Sequence, residues 1–286
     1  MAATEPRFSI LIPAYNAEAT LARTLDSLIA QTYDDWECVV IDDGSTDGTA
    51  AILEKYVQID SRFRGTSQEN GGTASALNAA AKLAQGQFFV QLGADDELLP
   101  EYCEATLKLI EQNPEYDIYA ANAWQVFPDG QKQFFNRGML FESEVSINLD
   151  ALIQKSLIYC TAATRREIFT TLGGFRTEIY NEDYDFWLRA LASGARHIYQ
   201  PLALSLYHAT PNQKTSDALK VRESDCEILS DLAASESLSE NQLELLHAKL
   251  AELQQNIALR KKLYRILGPR LTEVIIAKTR PMREGS

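Results

Sequence analysis

Three short apolar runs, each ending in a polar loop, most constrain the fold of this chain. They are residues 8–12 (FSILI), 36–41 (WECVVI) and 88–92 (FFVQL), and each has the length and composition of a buried strand. Between the first two, leucine and isoleucine recur at helical spacing over residues 21–29. This order predicts parallel strands joined by a crossover helix. Ligands of open α/β sheets bind at the carboxyl ends of the strands, so the loops after these runs are the expected site.

Two adjacent acidic residues, Asp95 and Asp96, follow the third run. Adjacent like charges repel each other, raise one another's pKa and carry a desolvation cost, all of which a hard divalent cation such as Mg²⁺ or Mn²⁺ relieves. A second acidic pair, Asp42 and Asp43, ends the second run in a turn-rich segment. The alternative is a plain solvated acidic turn, since such short motifs often mislead. The second pair at another strand end favours the cation site.

Four motifs in chain order resemble those of the family 2 glycosyltransferases of the GT-A fold. Residues 9–49 resemble the opening of that family, and residues 70–78 (NGGTASALN) resemble its second motif. Residues 94–100 (ADDELLP) resemble its metal motif, and residues 172–189, from LGGF to NEDYDFWLR, resemble its acceptor-side loop and the start of its catalytic helix. The resemblance covers roughly residues 7–210. It implies an α/β GT-A fold with a Rossmann-like, mostly parallel central sheet flanked by helices.

The resemblance also implies a nucleotide-sugar donor, with UDP as the expected nucleotide. The nucleotide-binding positions of the family correspond here to Pro13, Tyr15, Asn16, Asp43, Asn78 and Asp95. By their chemistry, Tyr15 can stack on a flat base and Asp43 can accept an N–H group from uracil. Without the resemblance, an ordinary loop aromatic and a helix N-cap would be the preferred interpretations of these two residues.

In the family that the sequence resembles, a divalent cation, Mn²⁺ or Mg²⁺, takes up charge on the departing diphosphate. The resemblance assigns Asp96 as its direct ligand, and Asp95 to the ribose and to metal-bound water. Many relatives carry a further Asp where this chain has Gly93, so the site has one carboxylate fewer. His208 is another candidate ligand, because relatives often carry a His shortly after the last strand. Its spacing departs from the common pattern, and a lone His is more often a surface or core residue.

The expected catalytic base is Asp183. The apolar helical pattern of residues 186–192 places Asp183 near a helix start, where N–H groups and the helix dipole stabilise a carboxylate. A general base benefits from the opposite effect, which Glu182 and Asp185 can supply as neighbouring charges. The alternative is that the acidic residues only favour the first helical turn. The resemblance implies a base that activates the acceptor for in-line attack with inversion. It places on the acceptor side or its loop Gly174, Phe175, Glu182 and Trp187.

Charge and cysteine usage limit the partners and the compartment. The 286 residues carry a formal charge of −13 with a pI near 4.8, which argues against a nucleic-acid partner, because a phosphate backbone demands a basic face. The four cysteines show neither zinc spacing nor a CxxC pair, which favours buried thiols in a reducing cytosol. The sequence shows no signal peptide and no run of about 18 apolar residues. We therefore expect a cytoplasmic protein.

Beyond residue 216 the resemblance ends. We expect a catalytic domain over residues 1–216, with a nucleotide half over about 1–100 and an acceptor half over about 101–216. A helical extension is expected over 217–286.

This extension carries a leucine seam and a basic end. Apolar residues three and four apart over 243–257 predict a helix that packs back on the catalytic domain or forms a homodimer. Residues 256–286 hold eight basic and two acidic residues, a formal charge of +6, which leaves −19 for the rest of the chain. This amphipathic end is expected either to lie on an anionic membrane at the cytoplasmic face, where lipid-linked acceptors reside, or to dock on the acidic domain.

Together these features predict a metal-dependent, inverting glycosyltransferase. It would move one hexosyl or N-acetylhexosaminyl group to a saccharide or lipid-linked acceptor in cell-surface polysaccharide or glycoconjugate synthesis. Polymerising relatives carry several transmembrane helices and a Gln-x-x-Arg-Trp motif, and this sequence has neither. One alternative is a degenerate scaffold that binds nucleotide without turnover, which Gly93 and the region of His208 motivate. The other is a nucleotidyltransferase, although residues 13–16 are not the Gly-rich basic loop expected for that class.

Overall fold

The computed structural model describes residues 5–136, 143–210, 213–214, 217–235, 237–269 and 272. The strands of the described residues are β1 (Phe8–Ala14), β2 (Trp36–Asp42), β3 (Phe63–Ser67), β4 (Phe88–Gln91), β5 (Glu97–Leu98), β6 (Ile118–Val126), β7 (Lys132–Phe134), β8 (Val145–Ser146), β9 (Ala163–Arg165) and β10 (His197–His208). Their helices are α1 (Leu21–Ile29), α2 (Thr49–Ile59), α3 (Thr73–Leu83), α4 (Tyr102–Gln112), α5 (Leu149–Gln154), α6 (Arg166–Thr171), α7 (Glu182–Ala192), α8 (Ala218–Ala233) and α9 (Glu240–Leu267).

All ten of these strands join one sheet, in the order β3-β2-β1-β4-β9-β6-β10-β5, with β7 on β6 and β8 on β10. The strand β1 lies between β2 and β4 and is parallel to both, as the strand-helix-strand order predicts. The short strand β9 is antiparallel to both β4 and β6 and separates the parallel block β3-β2-β1-β4 from the parallel pair β6-β10. The fold is therefore α/β, as expected, with a mixed central sheet.

The central strands are buried because helices cover both faces of the parallel block. Every residue of β2, and every residue of β1 except the half-buried Pro13, is buried. Continuous apolar runs of this kind are typical of parallel strands that are covered on both sides. On α1, the apolar face is formed by Leu21, Leu25 and Leu28, all fully buried. The carboxyl ends of β1, β2 and β4 meet at one edge of the sheet, and the polar loops that follow them meet there too.

The chain divides into two compact units, Met1–Gln213 and Lys214–Ser286. In the second unit, α8 and α9 pack against each other, and Leu246 and Leu253 of the predicted seam are buried. Two of the basic residues expected at a membrane are used inside this unit, since Arg260 is buried and Lys261 forms a 2.7 Å ion pair with Glu223. Most of the remaining basic residues of the segment 256–286 lie outside the described residues. Among the described helices, none is long and apolar enough to cross a lipid bilayer.

Candidate active site

Asp95 and Asp96 lie in the loop after β4, and Asp96 is almost completely buried. One carboxylate oxygen of Asp96, Oδ1, accepts a hydrogen bond from the backbone N–H of His208 (3.0 Å), and the other, Oδ2, accepts one from the Tyr159 hydroxyl (3.0 Å). Burial, followed by the neighbouring charge of Asp95, raises the pKa of Asp96 to about 8. Burial also raises the pKa of Asp95. Both carboxyl groups thus carry the desolvation cost that the sequence predicts, and the charge of Asp95 adds to it at Asp96.

The backbone of this acidic loop is held by side chains from one face of α1. Hydroxyl groups of Thr20 and Thr24 donate to the carbonyl oxygens of Ala94 and Asp96, both at 2.8 Å. Between them, Arg23 Nη2 donates to the carbonyl oxygen of Asp95 at 2.7 Å.

The same helix face continues this contact with the backbone that follows the acidic pair. Ser27 accepts from the N–H of Leu98 (3.2 Å), and Gln31 donates to the carbonyl oxygen of Leu99 (2.8 Å). Residues at these spacings share one side of a helix. Polar side chains of α1, of its N-cap Thr20 and of Gln31 just beyond its C-cap thus fix the loop that carries Asp95 and Asp96, and no sequence motif marks them.

Gly93 allows both carboxylates to lie close to the backbone at the start of this loop. A β-carbon on Gly93 would lie 2.9 Å from Asp95 Oδ1 and 3.0 Å from Asp96 Oδ2, closer than real β-carbon contacts. A side chain at this position therefore requires the two carboxylates to move. The absence of the additional Asp found in many relatives is thus coupled to the placement of the remaining pair.

Asp43 binds the loop that precedes α3. Its Oδ1 accepts from the side chain of Gln68 (2.7 Å) and from the N–H of Gly71 (2.9 Å), and its Oδ2 accepts from the N–H of Gly72 (2.8 Å). Asp43 does not cap α2, whose N-cap is Gly48, so the N-cap interpretation is wrong. A carboxylate has about four acceptor positions, so Asp43 keeps capacity for one further donor.

The loop after β1 is tied to the loop after β2. Asn16 adopts a positive φ of 48°, and its Oδ1 accepts from the N–H of Thr46 (2.9 Å) while its own N–H donates to Ser45 (2.9 Å). Tyr15, next to it, is 55% exposed, which leaves its ring accessible for stacking. Pro13 is half-buried at the end of β1. Asn16 therefore stabilises the contact between the two loops, whereas the Tyr15 ring faces solvent beside them.

The side chain of Asn78 binds the backbone of the Gly174–Phe175 loop. Its Nδ2 donates to the carbonyl oxygen of Phe175 (2.8 Å), and its Oδ1 accepts from the N–H of the same residue (2.9 Å). Gly174 has a φ of +79°, and a β-carbon there would lie 2.5 Å from Asn78 Oδ1. The amide of Asn78 thus holds the Gly174–Phe175 loop, and its contact with a nucleotide stays a prediction.

Asp183 occupies the first turn of α7, after Asn181 at the N-cap, as predicted. It is partly exposed, whereas Glu182 beside it is buried. Asp185 cannot act on Asp183 as a bare charge, because Arg176 and Arg189 both form ion pairs with it, the latter at 2.8 Å. The expected effect of the Asp185 charge on the basicity of Asp183 is therefore largely neutralised.

Two aromatic residues of the acceptor-side prediction are core residues in the structure. Trp187 is only 2% exposed and packs on Phe186, with ring centroids 5.1 Å apart. Phe175 is 6% exposed and packs on Phe169 and Phe186. Both side chains face inward because they belong to the apolar side of α7 and its covering loop. The structure therefore places the Trp187 and Phe175 side chains in the core beneath the acceptor-side loop, and the assignment of these residues to the acceptor side or its loop stays a prediction.

The thiol of Cys160 connects the two acidic parts of the site. Burial first, and then the charges of Asp96, Asp183 and Glu182, raise the pKa of Cys160 well above its usual value. Charges act over short distances in a protein surrounded by salt water. Asp96 and Asp183, which are 87 residues apart in the sequence, therefore both lie near enough to Cys160 for their charges to act on its thiol.

Three rings that the sequence analysis missed lie beside Asp96. Tyr159, whose hydroxyl binds Asp96, has its ring centroid 4.9 Å from that of Phe135 and 5.9 Å from that of Tyr207. Phe135 and Tyr207 are 5.5 Å apart in an edge-to-face arrangement. Tyr159 is buried, but Phe135 is 38% exposed. No motif marks these residues, since they meet only when β7, β10 and the chain before β9 come together.

The residues present fit a divalent cation. A buried carboxylate with a raised pKa and a second carboxylate beside it form a pair of oxygen donors, and the backbone of His208 adjoins this pair. Within the described part of the chain, no group of three or more His, Cys, Asp or Glu side chains is arranged to hold a metal ion by itself. A cation at this site would therefore take its other ligands from a bound phosphate and water, as Mg²⁺ commonly does.

The architecture places the chain among GT-A proteins. Its structure matches residues 1–349 of TarS from S. aureus in complex with UDP-GlcNAc with a TM-score of 0.75 and 22% identity, covering 91% of this chain and 76% of that one. It also matches the mannosyltransferase PcManGT from Pyrobaculum calidifontis, in complex with GDP-Man and Mn²⁺, with a TM-score of 0.69 and 19% identity, covering 96% of this chain and 80% of that one. At these identities the likeness shows the fold alone.

Sequence comparison supplies the family. The chain belongs to glycosyl transferase family 2, whose sequence model matches residues 9–173. EpsH of Bacillus subtilis is 35% identical over 127 residues, which are 44% of this chain and 36% of EpsH. The chain thus spans little more than a third of the length of that relative. The family and the fold that the motifs predict are confirmed.

Proposed function

We propose that this protein transfers one sugar from a UDP-sugar to a saccharide or lipid-linked acceptor with the help of Mn²⁺ or Mg²⁺. The observation that carries the proposal is the buried Asp96, beside Asp95, at the carboxyl end of a sheet of family 2 architecture. Two carboxylates there are costly to a fold without a positive partner. The UDP-GlcNAc bound to TarS and the GDP-Man and Mn²⁺ bound to PcManGT support a nucleotide-sugar and a cation of this kind.

The nucleotide would lie along the loops after β1 and β2. The exposed ring of Tyr15 would stack on the base, and the remaining acceptor position of Asp43 would receive an N–H group from it. Asp95 would bind the ribose, while Asp96 and His208 would hold the cation. When bound, the cation supplies positive charge that stabilises the departing diphosphate.

Asp183 would act as the base. Its partly exposed carboxylate, in the first turn of α7, would accept the proton of an acceptor hydroxyl group. A hydroxyl group activated on the face opposite the diphosphate would attack in line, and the anomeric centre would be inverted. The Gly174–Phe175 loop, held by Asn78 and Arg189, would form the wall next to this base.

The acceptor side favours a carbohydrate. The exposed ring of Phe135, backed by Tyr159 and Tyr207, provides a flat apolar surface one residue away from Asp96. Aromatic rings of this kind pack against the C–H face of a sugar while hydroxyl groups around the ring bind polar neighbours. The family and this surface together support a role in polysaccharide or glycoconjugate synthesis. The four free thiols support a reducing compartment, the cytoplasm.

A donor panel tests the proposal. Release of nucleoside diphosphate would be measured from UDP-, GDP- and dTDP-sugars with Mn²⁺, with Mg²⁺ and with EDTA, for the wild type and for Asp96→Ala. We expect cation-dependent release from one UDP-sugar and its loss in the variant. Should no donor react, calorimetric titration with UDP separates the cases: cation-dependent binding indicates a missing acceptor, and no binding favours the scaffold.

A further inference from the structure

Glu97 directly follows the acidic pair, and its side chain has no role in the function proposed above. It begins the two-residue strand β5, where it lies opposite Leu206 of β10 in antiparallel register. This pairing brings its carboxylate to the end of β10, which finishes at His208. Glu97 Oε1 lies 2.6 Å from His208 Nε2 and 3.2 Å from the Nε of Arg23. The geometry is that of a carboxylate shared by an imidazole and a guanidinium.

This contact selects one form of the neutral imidazole. A carboxylate accepts hydrogen bonds and cannot donate them, so His208 Nε2 must carry the proton. The lone pair of the ring is then on Nδ1. Among the described residues, none forms a hydrogen bond with His208 Nδ1. The ring is thus left with one nitrogen committed to Glu97 and the other available for a ligand.

The backbone of His208 is anchored at the acidic pair. The backbone N–H of His208 donates to Asp96 Oδ1 at 3.0 Å, so the residue adjoins Asp96 directly. The charge of the imidazole acts on Asp95 as well. A histidine beside two carboxylates, with a third carboxylate behind its far nitrogen, has the arrangement found around histidines that ligate metals in proteins.

We infer that Glu97 is a positioning residue that holds the His208 ring in the Nε2–H form, so that Nδ1 faces the cation and diphosphate of the donor. This inference rests on the proposed function and deepens it. It assigns the one acidic side chain of the loop that the family resemblance left without a role. It also accounts for the position of His208 at the end of β10, since the β5–β10 pairing sets the distance between His208 and Glu97.

Arg23 completes the arrangement. Its guanidinium binds Glu97 through Nε and the carbonyl oxygen of Asp95 through Nη2. A carboxylate near Asp95 and Asp96 would otherwise add to the negative charge of the site. Arg23 therefore offsets the charge of Glu97 and ties its position to the acidic loop.

Nuclear magnetic resonance of the histidine rings tests the tautomer without any cation. The sequence holds three His, so ¹⁵N-labelled histidine gives three imidazoles, and His208→Gln assigns the relevant one. At about pH 8 an ordinary imidazole is neutral. We expect the Nε2–H pattern for His208 in the wild type, and a mixture of both forms in Glu97→Ala. Glu101→Ala, whose exposed side chain does not cap α4, is the matched control and should leave the pattern unchanged. The Nδ1–H form in the wild type, or no change in Glu97→Ala, would overturn the inference.

Calorimetric titration with UDP tests the consequence. In Mn²⁺, we expect Glu97→Ala to weaken UDP binding roughly 10- to 100-fold, with wild-type affinity in EDTA. Glu97→Gln should bind more tightly than Glu97→Ala, because an amide oxygen can accept the same N–H group. A double variant with His208→Gln should bind no more weakly than His208→Gln alone.

The outcomes separate the inference from the function on which it rests. Suppose that UDP binding by the wild type depends on Mn²⁺. Additive losses of UDP affinity in the double variant, or wild-type UDP affinity in Glu97→Ala, would then overturn the inference alone. Equal wild-type affinity in Mn²⁺ and EDTA would overturn the proposed cation and the inference together.

Discussion

The side chain of Asn78 satisfies both backbone polar groups of Phe175, the carbonyl oxygen at 2.8 Å and the N–H at 2.9 Å. The two residues are 97 positions apart in the sequence, and the contact joins α3 to the loop before α7. An amide side chain can pair with a peptide group in this way because it offers the same donor and acceptor. Asn78 thereby pairs with Phe175 as a peptide group would, and it joins two distant segments of the unit Met1–Gln213.

Asn78→Ala is expected to reduce stability while leaving nucleotide affinity unchanged. The substitution removes two hydrogen bonds and leaves two peptide groups without partners, which costs about 2–3 kcal/mol of unfolding free energy. Urea unfolding and UDP titration measure the two quantities, with Lys82→Ala on the exposed side of the same helix as the control. Intact stability with weakened UDP binding would instead indicate the direct nucleotide contact that the family resemblance implies.

Gly174→Ala is expected to destabilise the protein more than Gly173→Ala. Both glycines have a positive φ, +79° and +74°, so both substitutions carry a similar backbone cost of about 1–2 kcal/mol. Only the β-carbon at position 174 meets Asn78 Oδ1, at 2.5 Å, whereas nothing lies within 4 Å of one at position 173. Thermal unfolding of the two variants isolates the collision. In an Asn78→Ala background the difference should shrink to the part caused by Phe169 Cε1, which lies 3.2 Å from the same β-carbon, and an undiminished difference would argue against the Asn78 contact.

Asp183→Asn is expected to abolish sugar transfer and to leave UDP binding intact. The amide keeps the shape of the carboxylate but cannot accept a proton, and general base catalysis is worth about 10²- to 10⁴-fold in rate. Turnover and UDP affinity would be measured side by side. Asp150→Asn, at the first turn of α5, provides the same substitution at another helix start. Turnover near the wild-type rate in Asp183→Asn would remove Asp183 as the base.

Phe135→Ala is expected to raise the KM for the acceptor about tenfold, which corresponds to about 1.4 kcal/mol of binding, without changing the KM for the donor. The reason is that its exposed ring, packed on Tyr159, belongs to the proposed acceptor surface and has no proposed role in binding the nucleotide. Phe135→Tyr keeps the flat surface and should behave as the wild type. An equal rise in both KM values would indicate that the variant disturbs Tyr159 and the cation site instead.

The buried His197 predicts a loss of stability in mild acid. Burial lowers its pKa from 6.5 to about 3. Below about pH 6.5 the unfolded chain binds a proton at this residue and the folded chain does not, so the unfolding free energy falls on acidification by up to about 1.4 kcal/mol per pH unit. Relative to His197→Leu, the wild type should lose about 2 kcal/mol between pH 7 and pH 5. Parallel stability curves for the two proteins over this range would contradict the prediction.

The parts of the site that sequence alone could locate are those in which a recognisable apolar strand is followed directly by acidic residues. The apolar runs of β1, β2 and β4 and the acidic residues after them stand out, because a buried strand and a charged loop have opposite compositions. The start of α7 at Glu182 was visible for the same reason.

The rest depends on contacts between distant segments. Tyr159 reaches Asp96 across 63 residues, and His208 reaches Glu97 across 111. No local pattern marks either pair. Trp187 is the opposite case, since the apolar helical period of residues 186–192 already indicates the buried position that the structure shows.

The attachment of the acidic loop to α1 limits how the loop can be transferred to a related protein. Segment 94–99 offers four carbonyl oxygens and one amide to five side chains between Thr20 and Gln31. If the segment were grafted into a related scaffold without those partners, its peptide groups would lose these hydrogen bonds, and its carboxylates would no longer be held in position. Residues 20–31 and the segment 94–99 therefore need to be transferred together. A substitution at Thr24 removes a hydrogen bond to the Asp96 backbone and can displace Asp96 as directly as a substitution in the loop itself.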